Sequence, residues 1–123
     1  MLDTAVFIVR ETGRQLGELP ETAAISVVTL AELHLGVLMA QGQSSRARRL
    51  RTLAAVQHSF EPLPIDAEVA RAFAEIVAAA GARGQRPKIM DAWIAATAMS
   101  HGLIVFTQDK DFASIPQIRV MMV

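Results

Sequence analysis

The 123-residue chain contains no cysteine, which excludes disulfides, Cys-ligated zinc and a thiol nucleophile and suits a cytoplasmic protein. It has no net charge either. Twelve acidic residues balance twelve basic ones, so the electrostatic footprint of a general nucleic-acid binder is missing. No apolar run is of membrane-spanning length, because the longest nearly apolar stretch carries Asp91, His101 and the helix-stopping Gly102. The N-terminus has neither a basic flank nor a small-residue cleavage site, so nothing in it points to export. Repeats and low-complexity tracts are also absent. What is present is one domain's length of chain, 52% hydrophobic, long enough to bury about two-thirds of its unfolded surface.

The stretch from Pro87 to Asp111 organises the rest. Ile89–His101, Ala-rich and free of Gly and Pro, predicts a helix that Gly102 closes in the left-handed conformation. Leu103–Phe106 predicts a strand buried on both faces. Asp91 shares the i, i+3, i+4, i+7 face with Ile94, Ala95 and Ala98, which sets a carboxylate among core residues. A lone buried carboxylate costs several kcal/mol or takes up a proton, so such a residue usually has a cationic partner, a metal or a catalytic task. Asp109 and Asp111 follow the strand, at the end where parallel sheets place ligands.

Upstream, Met1-Leu2 reads as the end of a strand, either a stub or the tail of a longer one, with Asp3 or Thr4 capping an apolar helix. Ala23–Val27 predicts a second strand and Val28–Ala40 a helix in which Glu32 shares a face with Val28, Leu35, Gly36 and Met39. Ser44 or Ser45 is expected to cap a helix from Arg46 to about Ser59, and Phe60–Ile65, with two prolines, reads as a strand near an edge. Asp66 caps a helix with the stripe Val69, Ala70, Phe73, Ile76, Val77 and Ala80, and with Arg71 and Glu75 paired outside. Trp93 faces away from Asp91, toward the core or an interface. Gly81–Lys88 forms a basic loop, Asp111 caps a short helix, and Ile118–Val123 is the last strand.

Strands alternating with helices predict a single α/β domain over residues 1–123 with a mainly parallel sheet. Asp3, Glu32, Asp91 and Asp109 then fall at comparable positions near one sheet edge. Taken singly, Asp3 is better explained as a cap, and Glu32 equally well as a rim residue. Together they repel unless cations neutralise them. A ligand set of carboxylates alone points to Mg²⁺ or Mn²⁺, and such ions support water attack on a phosphodiester. Ten of the twelve basic residues are Arg. Arg46 and Arg49 in one cluster, and Arg83, Arg86 and Lys88 in the other, are candidates for phosphate contact, against the plainer reading of solvated faces or coding bias. An Asp-nucleophile phosphohydrolase would want D-x-D after the first strand, where this chain has D-T-A.

L-D-T at 2–4, V-V-T-L-A-E-L at 27–33, M-D-A-W-I-A-A-T-A at 90–98 and H-G-L-I-V-F-T-Q-D-K-D-F at 101–112 resemble the PIN-domain ribonucleases of the VapC toxin family. The resemblance implies a three-layer α/β/α fold with strand order 3-2-1-4-5 and a Mg²⁺-dependent endoribonuclease. It places the acidic site on Asp3, Glu32, Asp91 and Asp109, supported by Thr4, Thr107 and Asp111. It also implies RNA as substrate, a VapB-type antitoxin, a homodimer and a toxin–antitoxin hetero-oligomer. The family usually has Ser or Asn where this chain has Ala5. The competing reading is a PIN-like module that binds or assembles without catalysis.

Overall fold

The computed structural model describes residues 1–123 and contains five α-helices. They are α1 (Thr4–Glu11), α2 (Val27–Met39), α3 (Gln43–Ser59), α4 (Ala67–Ala82) and α5 (Ile89–Ser100). After α5 come β1 (Val105–Thr107), a 3-10 turn (Lys110–Ser114) and β2 (Val120–Met122). No helix is long and apolar enough to cross a membrane.

Regular sheet is sparser than the sequence suggests. β1 and β2 pair in parallel, Val105 opposite Val120, and the remaining pairings are single parallel bridges, Leu2 with Phe106 and Ser26 with Leu63. The expected strands at Ala23–Val27 and Phe60–Ile65 shrink to those bridges for local reasons. Ser26 leaves the extended segment to cap α2, its Oγ accepting from the Val28 amide at 3.0 Å, and Pro62 and Pro64 offer no donor on either side of Leu63. Backbone hydrogen bonds nevertheless cross from Leu63 to Ile25 (2.9 Å), from Leu2 to Ala24 (2.8 Å) and from Phe106 to Met1 (2.8 Å). The segments thus lie side by side in the order Leu63, Ile25, Leu2, Phe106, Val120.

Alternation along these segments splits the core in two. Leu2 and Ile25 pack with Phe7, Leu33, Leu53 and Val56 of α1–α3. Met1 and Val105 pack with Val69 and Ile76 of α4 and with Ile94, Ala95 and Ala98 of α5. Helices therefore cover both faces. The Ala-rich face of α5 lets α4 come close, and Trp93 stacks on Phe73 of α4 with ring centroids 3.8 Å apart, so it sits in that helix contact.

Helix ends follow their caps, with three corrections. α3 begins at Gln43, three residues early and without a side-chain cap, because Gly42 at φ +84° makes the turn that Ser44 or Ser45 was expected to cap. Asp66 caps α4 as expected, accepting from the Val69 amide at 2.9 Å. The buried stripe of α4 is Val69, Ala72, Ile76 and Ala80, while Ala70 and Val77 are exposed and Arg71 pairs with Glu68 rather than Glu75. In the last turn, Asp109 rather than Asp111 is the cap, its Oδ1 accepting from the Asp111 amide at 2.9 Å. Extended backbone at Asp109 (φ −94°, ψ 115°) aims its side chain at that amide.

Candidate active site

Asp3 ends the first extended segment and caps α1. It is 4% exposed, its Oδ1 accepts from the Thr4 amide at 2.8 Å, and its Oδ2 accepts from the Thr107 hydroxyl at 2.8 Å. Thr107, the last residue of β1, also accepts from the Asp109 amide at 2.9 Å. One buried hydroxyl thus ties the first acid to the loop that carries the fourth. Burial raises the Asp3 pKa, with Glu32 adding to the rise and the bonds from Thr107 and Thr4 opposing it.

Glu32, one turn into α2, accepts from the Thr4 hydroxyl at 2.7 Å. Thr29 Oγ1 lies 3.2 Å from the same Thr4 oxygen and is fully buried. Thr29 is a member of the site that the sequence reading missed; its spacing three residues before Glu32, on the same helix face, was the available signal. The face expected to hold Glu32 among apolar neighbours does so only at its start. Val28 is buried, but Leu35 and Met39 project into solvent.

Asp91 lies in the first turn of α5. It is buried beside Ile94 and Ala95, and its Oδ2 has no hydrogen-bond partner. Burial, then repulsion from Asp3 and Asp109, pushes its pKa up to about 6, against the pull of Lys88. Asp109 Oδ2 lies 3.9 Å and Asp111 Oδ2 3.3 Å from Lys88 Nζ. These two carboxylates raise the Lys88 pKa, with Asp91 contributing less.

The four expected acids therefore share one end of the molecule and one electrostatic field. As they stand, no three of them close around a point as ligands of one ion do. Each outer acid is held by its own clamp: Thr107 on Asp3, Thr4 on Glu32, and the turn amide with Lys88 on Asp109. Of these four acids, only Asp91 is buried with an oxygen left over; elsewhere the Glu11 Oε1 is likewise unpartnered. An all-oxygen donor set around an uncompensated buried carboxylate fits a hard divalent cation such as Mg²⁺ or Mn²⁺.

The basic candidates divide. Lys88 meets the acids directly, and Arg86 lines a cleft that reaches Asp91. Arg83 caps the end of α4, exposed. Arg49 pairs with Glu11 at 3.3 Å, at the other end of α1, about 12 Å of helix from Asp3. Arg46 donates to the Ala40 carbonyl at 3.4 Å. These two do not join the acidic site.

Comparison with known proteins identifies the family. The PIN domain family model matches residues 1–118. Ribonuclease VapC5 of Mycobacterium tuberculosis is 49% identical over 117 residues, covering 94% of this chain and 86% of that protein. Ribonuclease VapC4 of the same organism is 44% identical over 128 residues, covering 100% of this chain and 95% of its own. Among solved structures, a VapBC-5 toxin–antitoxin family member from M. tuberculosis superposes with a TM-score of 0.87 at 44% identity, covering 99% of this chain and 94% of that one. The chain belongs to the PIN-domain family and, within it, to the VapC ribonucleases of the VapBC toxin–antitoxin systems.

Proposed function

We propose that this chain is a divalent-metal-dependent endoribonuclease, the toxin of a type II toxin–antitoxin pair, which hydrolyses phosphodiester bonds of tRNA or rRNA and so halts translation. The observation that carries this reading is Asp91, whose Oδ2 is buried without a partner while the charges of Asp3, Asp109 and Glu32 act on it. Asp3, Asp91 and Asp109 would hold the cation, with Glu32 beside them. When bound, Mg²⁺ or Mn²⁺ supplies an activated water and charge stabilisation for in-line attack. Thr107 orients Asp3 and the Asp109 loop, Thr4 orients Glu32, and Asp111 holds Lys88 at the rim. Lys88 and Arg86 are placed to draw the substrate phosphate to the acids.

The partner implied is a small VapB-type antitoxin that presents a basic side chain to the acidic site; an Arg fork pairs well with carboxylates. Exposed Leu35, Leu38, Met39 and Leu50 supply apolar surface for a homodimer and for the toxin–antitoxin assembly. The test is digestion of total cellular RNA with Mg²⁺ and with excess EDTA, cut sites mapped by sequencing. Cleavage confined to the Mg²⁺ sample is expected, and undiminished cleavage in EDTA would falsify the metal-dependent mechanism.

A further inference from the structure

A cleft of about 360 Å³ opens between the loop before α5 and the 3-10 turn, lined in part by Gln85, Arg86, Pro87, Lys88, Asp91 and Ser114. That volume is within the range of small-ligand sites. Its innermost polar group is Asp91, 9% exposed, whose Oδ2 is buried without a partner. Arg86 pairs with no carboxylate. The Gln85 N–H donates to the Ala80 carbonyl at 2.9 Å, which fixes its backbone, and its side chain is exposed at the mouth of the cleft. On the opposite wall the Ser114 hydroxyl donates to the Asp111 carbonyl at 2.7 Å, which steadies the turn.

Resting on the ribonuclease reading, we infer that this cleft seats the nucleotide next to the scissile phosphate, with Gln85 reading its base and Arg86 holding its phosphate. The cleft is continuous with Asp91, so a phosphodiester brought to the acids must place an adjoining nucleotide either here or in open solvent. Asp91 and Asp111 belong to the acidic side, while a nucleotide suits the cationic and amide groups of the walls, Arg86 and Gln85. Its phosphate meets the free guanidinium, which forks onto phosphate oxygens. Its base edge meets the Gln85 side-chain amide, which both donates and accepts, and its ring lies against Pro87. Readout of this kind needs an unpaired base, so the substrate segment is single-stranded at the cut.

Two measurements test the inference. Random-sequence single-stranded RNA 20-mers are digested in Mg²⁺ by the wild type, Gln85→Ala and Arg86→Ala, and the cut sites are sequenced. In parallel, a 4-thiouridine-substituted RNA 20-mer is photo-crosslinked in EDTA and the linked peptides are mapped. Gln85→Ala is expected to weaken base preference at one position beside the cut by about tenfold. Arg86→Ala should raise KM and leave the preferred base as it was, and crosslinks should fall on residues 85–87. Unchanged preference in Gln85→Ala, or crosslinks confined to the Arg-rich face of α3, overturns the inference while leaving the ribonuclease reading intact. Crosslinks at 85–87 from a wild type that cuts no RNA overturn the ribonuclease reading, and the scissile-nucleotide assignment falls with it.

Discussion

At the scale of single residues, Asp91 concentrates the conflict between folding and function. Its pKa is raised to about 6 in the fold, above the ordinary carboxylate value, so the folded protein binds this proton more tightly than the unfolded chain does. Without metal, stability should therefore be lowest above pH 6 and should recover as the pH falls through 6 toward 4. Thermal melts in EDTA at pH 5 and pH 8 check the sign. Asp91→Asn should raise the melting temperature at pH 8, flatten this dependence and abolish cleavage; a variant as active as the parent would remove Asp91 from the ligand set. Asp109 caps the last turn and is one of the charges that repel Asp91, and we propose it as a site acid. Asp111 is 65% exposed at its side chain and meets only Lys88 and the turn. Asp109→Ala should then reduce Mg²⁺-dependent cleavage more than Asp111→Ala, whose loss is expected to cost about 10–100-fold. The reverse order, in variants folded by circular dichroism, would centre the site on Asp111.

At the scale of elements, the cap of a helix and the ends of the extended segments do different work in different places. Asp66 caps α4, a helix that brings no acid to the site. Asp66→Ala should cost about 1 kcal/mol of stability and leave the cleavage rate as it was, measured by denaturant melts beside an RNA assay. Thr107 terminates β1 and carries hydrogen bonds to both Asp3 and the Asp109 amide. Thr107→Val keeps the shape and removes both bonds. A buried carboxylate is then left short of a donor, a loss of about 1–3 kcal/mol, and the two acids lose their common tether. Cleavage should fall while the Mg²⁺ concentration for half-maximal rate rises. An unchanged Mg²⁺ dependence would show that the tether is structural only.

At the scale of the whole molecule, two apolar cores on opposite faces of a narrow set of extended segments hold the acids at one end. Cation binding to the folded state alone should stabilise it by mass action, so Mg²⁺ should raise the melting temperature at pH 7.5. The gain should shrink near pH 5, where Asp91 is protonated. The exposed side chains Leu38 and Met39, at 76% and 69%, leave apolar surface that an isolated chain would keep in water. Light scattering at micromolar concentration should report a dimer, and a mass of one chain would contradict it.

The sequence by itself determined the helices, because their apolar periodicity and the capping by Asp66 and Gly102 are local properties of the chain. It also marked Asp91, since a carboxylate at a core position of α5 is anomalous whatever the surroundings. Only the tertiary structure decided the rest. Whether Ala23–Val27 and Phe60–Ile65 become strands depends on partners distant in sequence, and here each keeps a single bridge. Which residue caps the last turn turned on the backbone direction leaving β1, which favours Asp109. The Thr107 bond to Asp3 joins positions 104 residues apart, and the Thr4 bond to Glu32 joins positions 28 apart. No local pattern marks a hydroxyl as a clamp for an acid that folding alone brings within reach.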